Sequence, residues 1–162
     1  MQLPEYFSPD KADQLLHFLD RKPKEIEFAI ELRNKEWFTK EAEQLRNFAK
    51  QISELNTAIL ITDVSGRRDV CHCTLSNQAL MIRLVGNAGH STDLQRISNW
   101  VELIFSHQSQ LKDVYLFFHQ PAMENIPKMV NQFIQKLEEK GLKSPIPVLN
   151  PKYQPNIQLR LF

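Results

Sequence analysis

Residues 57–62, Thr-Ala-Ile-Leu-Ile-Thr, decide how this chain is read. The run is short, β-branched and apolar, with no alternation of polar and apolar positions. Such a run makes a strand buried on both faces, and strands of that kind belong to parallel sheets covered by helices. Upstream, Thr39 precedes a helical face of Ala42, Leu45, Ala49, Ile52 and Leu55. Before that, Ile26–Arg33 alternates with period two and predicts another strand, itself preceded by a helix with Ser8 as cap, Pro9 at its first turn and a stripe of Ala12, Leu15, Leu16 and Leu19. Downstream, Ala79–Val85 and Asp113–His119 predict a third and a fourth strand. Between them, Thr92 and Gln95 fit a capping box ahead of Leu94, Ile97, Val101 and Ile104. After the fourth strand, Asn125 and Pro127 open a helix carrying Val130, Phe133, Ile134 and Leu137, which Gly141 stops. Strands alternating with helices over short connections imply right-handed βαβ units and a parallel sheet, hence an α/β fold. Only residues 64–78 interrupt the rhythm, and they read as a functional loop with room for a short helix.

Composition sets the outer bounds. The 162 residues hold 20 Lys+Arg against 19 Asp+Glu, a formal charge of +1, with 42% hydrophobic and 24% charged residues. That is the composition of a folded domain, and it excludes a disordered chain. It also weighs against a broad basic face for nucleic acid. The start, MQLPEYF, has no basic segment followed by an apolar one, and no apolar run approaches the ~20 residues a membrane helix needs. Cys71 and Cys73 are the two cysteines, too close in sequence to staple the fold, so a reducing cytoplasm is the expected location. Cys71-His72-Cys73 lacks the spacing of a zinc site, and no P-loop, nucleophile elbow or dinucleotide fingerprint is present. No metal and no cofactor are expected.

The strands begin about 29 residues apart, close to the roughly 30 of one βα unit. Eight such units would need about 235 residues, near the ~250 of a closed (β/α)₈ barrel. This sequence, at 162 residues, cannot hold eight. Either a doubly wound open sheet or the C-terminal part of a barrel fits.

Five segments resemble one family. Ala29–Phe38 (AIELRNKEWF) is similar to the E-x-R-x-x-x-W strand end of the YecE-like proteins, domain of unknown function 72. Ile61–Asp69 (ITDVSGRRD) resembles its TD-x-x-G turn, and Met81–Asn87 (MIRLVGN) its R-x-x-G strand end. Asp93–Trp100 and Asp113–Gln120 resemble its last helix and strand, in order and spacing, although His119-Gln120 stands where many relatives are Asn-rich. The resemblance implies a TIM-type parallel (β/α) barrel of which this sequence holds the C-terminal half to five-eighths, with Gln2-Leu3-Pro4 as the exit of the fourth strand. Residues 1–143 are then a partial barrel domain. Residues 144–162, with Pro145, Pro147, Pro151 and Pro155, are an extended tail. An incomplete barrel exposes two strand edges and part of its apolar interior, which leads us to expect a homodimer through exposed sheet edges or binding of a missing half.

Barrel chemistry gathers at the C-terminal ends of strands. Strand parity turns Glu31 and Arg33, Arg83, and His119 inward, while Asp63 ends a strand whose two apolar faces hide its direction. Four strand ends thus offer Glu31, Asp63, Arg83 and His119 as catalytic residues in one cup: a carboxylate as general base, Arg83 as anion clamp, His119 as acid or base. The alternative is that Glu31 and Arg83, or Glu31 and Arg33, simply satisfy each other. For substrate binding the sequence nominates Arg33, Arg67, Trp37, Gly86 and His90. Trp37 stacks a ring or plugs the core; the Gly86–His90 loop either holds an anion at the following helix start or is only flexible. The expected reaction is hydrolysis of a phosphorylated, sugar or nucleic-acid-type small molecule, with a non-catalytic binding module as the competing reading. Finally, Gln158-Leu159-Arg160-Leu161-Phe162 resembles the bacterial sliding-clamp-binding pentapeptide, which would make Gln158, Leu159, Leu161 and Phe162 partner contacts. The competing reading packs this end onto its own domain.

Overall fold

A computed structural model describes residues 1–39 and 43–144. The helices are α1 (Ala12–Asp20), α2 (Glu43–Glu54), α3 (Ser91–His107) and α4 (Ile126–Glu139); the strands are β1 (Phe28–Ile30), β2 (Thr57–Val64), β3 (Ala79–Val85) and β4 (Asp113–His119). The strands form one sheet in the order β1-β2-β3-β4. β1 pairs parallel with β2, and β2 with β3, in a continuous register from Phe28↔Thr57 to Val64↔Val85. β4 starts beside the start of β3, where Lys112 donates its N–H to the Gln78 carbonyl at 2.9 Å, and the carbonyl of His119 at its end accepts from Gly86 N–H at 2.8 Å. The alternation of strands and helices read from the sequence is therefore observed, with β2 two residues longer and β1 five residues shorter than expected. β1 is short because Glu31 leaves it to bridge Gln2 in parallel fashion.

The chain divides into two compact units. The first comprises Met1–Val85 and His107–Phe117. Its core joins Leu15 and Leu19 of α1, Ile30 of β1, Ile59 of β2 and Leu45, Phe48, Ala49 and Ile52 of α2. Apart from Phe48, which the sequence reading does not mark, these lie on the stripes and strands that the apolar pattern marks, and each fully buried large side chain contributes roughly 1.5–3 kcal/mol. β3 shows how one sheet face is packed and the other is not. Leu80, Ile82 and Leu84 are fully buried, whereas Ala79, Met81, Arg83 and Val85 are half-buried. On that second face Leu60 is also half-buried, and Tyr115 and Phe117 of β4 are 41% and 48% exposed. This second face is partly uncovered, with a groove of about 540 Å³ along it lined in part by Ala29, Ala58, Met81 and Tyr115.

The second unit comprises Gly86–Ser106 and the described residues from Phe118 onward. Ile97, Trp100, Val101 and Ile104 of α3 and Met129, Phe133 and Ile134 of α4 are buried, and Phe118 meets Phe133 edge to face at 5.6 Å. The capping box expected at α3 does not form. Gln95 instead bonds Asn99 one turn on, at 2.9 Å, and His90 supplies the cap. Among the described residues no helix is long and apolar enough to cross a membrane. Residues 145–162, including Gln158, Leu159, Leu161 and Phe162 of the terminal motif, lie outside the described residues.

Candidate functional site

Strand geometry builds the site in the first unit. Side chains alternate across a strand, and partners in a parallel register share a face. Ile30 is fully buried against the core, so Glu31 turns to the other face. In the adjoining pair, Thr62 stands beside Arg83. The three meet. Glu31 Oε1 accepts from Thr62 Oγ1 at 2.8 Å and from Arg83 Nη2 at 2.5 Å, and Glu31 Oε2 accepts from Gln2 Nε2 at 3.0 Å. The Glu31 side chain is 7% exposed, a buried carboxylate held by one cation and two neutral donors. Such anchoring fixes its position.

Beside this cluster lies a cavity of about 50 Å³, whose lining includes Glu31, Thr62, Arg33, Arg67 and Arg83. Arg33 and Arg67 converge on a single oxygen, Glu5 Oε1, at 3.2 and 3.3 Å. Arg67 also grips Asp69 at 3.1 Å, and that bond, with the contact to Glu5, raises the guanidinium's already high pKa while lowering that of Asp69. Arg83 Nε is buried and has no hydrogen-bond partner among the described residues. A buried N–H of this kind is uncommon and costs roughly 1–3 kcal/mol unless an acceptor reaches it. Arg83 therefore faces Glu31 through its terminal nitrogen and keeps one donor unused.

The sequence placed Glu31, Arg33, Arg67 and Arg83 among candidate residues, and the structure brings these four together. It does not bring Asp63 to them. Asp63 lies in register with Leu84, on the packed face and opposite to Thr62 and Arg83. Its carboxylate is buried and accepts from Arg68, whose own side chain is 60% exposed. The polar residue that β2 brings to this face is Thr62, which a strand apolar on both faces conceals. Trp37 is not a stacking platform. It is 1% exposed, donates from Nε1 to the Phe7 carbonyl at 2.9 Å and packs on Phe48 with ring centroids 4.7 Å apart. His119 is exposed at the end of β4, in the second unit, and is not part of the cavity lining.

Gly86 and His90 have local roles in the second unit. A Cβ on Gly86 would fall 2.0 Å from Gln120 Nε2, so glycine is there to admit the buried Gln120, whose Oε1 accepts from Ala88 N at 3.1 Å. His90 Nδ1 accepts from Thr92 N at 3.3 Å and bonds Thr92 Oγ1 at 2.9 Å. The anion expected at this helix start is already supplied by the chain. Asp93, buried, accepts from Asn87 N at 2.8–2.9 Å and from Gly89 N at 3.2 Å, and pairs with Arg96 at 3.3 Å. Its carboxylate takes the place that an external phosphate would occupy at a bare helix N-terminus.

Solved structures share this arrangement of strands and helices at low sequence identity. A protein from Enterococcus faecalis V583 (EF0366) superposes with a TM-score of 0.63 at 16% identity, covering 85% of this chain and 59% of that one. A protein from Thermotoga maritima MSB8 (TM1631) gives 0.60 at 16% identity, covering 85% and 56%. Both carry the description of a DUF72 family protein. In sequence, the UPF0759 protein YecE of Escherichia coli K12 is 26% identical over 156 residues, and the match takes in 86% of this chain but 57% of YecE. The chain thus spans little more than half the length of these relatives. The family model described as "Protein of unknown function DUF72" matches residues 1–154, and the chain belongs to that family.

Proposed function

We propose that the strand-end cluster of the first unit binds the phosphate of a small phosphorylated molecule, as the anion-recognition side of a hydrolase pocket in a TIM-barrel-type fold. The observation that carries this reading is the buried, unpartnered Nε of Arg83 at a cavity shared with Arg33 and Arg67. Glu5 supports it. Its carboxylate bridges two guanidinium groups while its side chain is 58% exposed. Exposed ion pairs contribute little, so a doubly charged oxyanion displaces it readily and inherits a two-arginine clamp. The cavity admits one compact group, which suits a phosphate with the rest of the molecule outside. In this reading Glu31 accepts the proton of the attacking water through Oε2, the oxygen with a single observed donor.

The test is calorimetric titration of the protein with inorganic phosphate and with a phosphate monoester. Arg83→Ala and Arg67→Ala are expected to weaken binding about tenfold or more, the size of a lost charge-assisted hydrogen bond. Equal affinities in wild type and variants would discard the reading. Turnover of the monoester should vanish in Glu31→Gln with binding retained. Binding without turnover in the wild type would instead favour a binding module, a reading supported by the three donors that already satisfy Glu31.

A further inference from the structure

We propose that a cavity in the second unit, beside the start of α4, binds a small hydroxylated carboxylate of the sugar-acid kind. The cavity holds about 270 Å³, and every residue lining it belongs to that unit. Its walls are the turn between β3 and α3, the first residues of α3 and one side of α4, and Gln120, just past β4, completes the lining. Asn125, Lys128, Met129 and Gln132 line it at spacings of three, four and seven residues, which is one face of a helix. Three of these four are polar and unspent. Asn125 stands at the N-cap of α4 and makes no capping bond. Among the described residues, the side chains of Lys128 and Gln132 have neither a hydrogen-bond nor an ion-pair partner. Gln120 adds a buried donor. It is 3% exposed; its Oε1 accepts from Ala88 N, and its amide nitrogen, with two hydrogens to give, meets only the sulfur of Met129 at 3.2 Å. A thioether is a weak acceptor, so one buried N–H remains for a group inside the cavity.

Charge and hydrogen-bonding capacity set the class of ligand. Asp93 also lines the cavity, but Asn87 N, Gly89 N and Arg96 already hold its carboxylate. Lys128 therefore offers one uncompensated positive charge, which suits a carboxylate. Phosphate fits less well. It is best met by guanidinium forks, and no arginine occurs among the described residues of this lining. The Asp93 carboxylate also opposes a second negative charge. Amide side chains donate and accept at once, as hydroxyl groups do. Asn125, Gln132 and Gln120 thus complement an acid that carries hydroxyls. His90 contributes a further donor, because accepting at Nδ1 leaves the proton of the neutral ring on Nε2. Leu94 and Met129 supply apolar wall for the carbon skeleton. The volume corresponds to roughly nine waters at ~30 Å³ each, the size of one sugar-sized acid and not of a nucleotide or a peptide.

The experiment is titration of the full chain, isotope-labelled at its methionine methyl groups, with D-glucuronate. Met129 lines this cavity and Met81 the groove of the first unit, so their two NMR signals report on the two places separately. The Met129 signal should move saturably, and that of Met81 should stay. Lys128→Ala should weaken binding about tenfold or more, the loss of a charge-assisted hydrogen bond, and Gln132→Leu about two- to tenfold. D-Glucose keeps the hydroxyls without the carboxylate and acetate the carboxylate without the hydroxyls; each should bind about tenfold or more weakly than glucuronate. Arg83→Ala should leave the glucuronate affinity unchanged, because Arg83 lies outside this lining. A Met129 signal that does not move, an affinity indifferent to Lys128→Ala and Gln132→Leu, or glucose or acetate binding as tightly as glucuronate would each overturn the proposal. So would inorganic phosphate that displaces glucuronate at Met129, since the cavity would then be a phosphate site.

Discussion

His72 illustrates how a single side chain sets a pH dependence. It sits in the loop after β2, its ring stacked on Phe38 with centroids 5.3 Å apart and planes 19° off parallel, and its Nδ1 accepts from Thr74 N at 3.2 Å. Burial makes the charged form costly and brings its pKa down to about 4, outweighing hydrogen bonds with Leu60 and Thr74 that act the other way. Once unfolded, the ring returns to an ordinary value near 6.5. Between these two values the unfolded chain binds the extra proton, so stability is complete above about pH 6.5 and declines as the pH falls toward 4. The ring's partial solvent access sets at most about 3 kcal/mol on the loss. Urea midpoints measured from pH 7.5 to 4.5 should fall more steeply for wild type than for His72→Gln, and parallel curves would refute the assignment. In sequence this residue stood out for a different reason, as the centre of Cys71-His72-Cys73, because flanking ligand types are visible locally whereas burial under Phe38 is not.

At the level of elements, the sequence disclosed what repeats and hid what depends on register. The stripes of α1, α2, α3 and α4 and the alternation in β3 were readable because their periods are intrinsic to helix and strand. Arg83 and Glu31 were placed on the same inner face for that reason. Asp63 was not, since β2 is apolar on both sides and only pairing with β3 reveals that Thr62 faces inward. The turn after β3 shows the same limit. The sequence offers its glycine as part of a binding loop, but what it serves is Gln120, 34 residues away and buried. Gly86→Ala is expected to destabilise by roughly 1–3 kcal/mol, the cost of overpacking a site that cannot expand. Gln120→Ala alone leaves the Ala88 N–H without its acceptor. The double variant should lose much less than the sum of the two, because the clash exists only when both side chains are present. Strict additivity of denaturant midpoints would show that the side chain of Gln120 is not what Gly86 accommodates.

At the scale of the whole molecule, Tyr115 and Phe117 are 41% and 48% exposed in a chain spanning just over half the length of the relatives it matches. If a second copy covers that strand, as in the homodimer the sequence leads us to expect, folding is coupled to association and the apparent stability rises with concentration. For a two-state dimer, a hundredfold increase in concentration adds about 2.7 kcal/mol per dimer, and for chains of this size that moves the melting temperature by a few degrees. Scanning calorimetry at 2 and 200 µM, on the order of the range where weak edge pairing operates, should show this rise for wild type and a flat melting temperature for Phe117→Lys. The variant matters as much as the wild type. A rise that survives Phe117→Lys would place the association elsewhere on the surface, and no rise in either chain would mean that the exposed aromatic pair is tolerated by the monomer. Because Phe117 lies on β4 and not in the lining of the Glu31 cavity, phosphate titration of the same variant separates the two roles: dimerisation should be lost while the arginine clamp keeps its affinity.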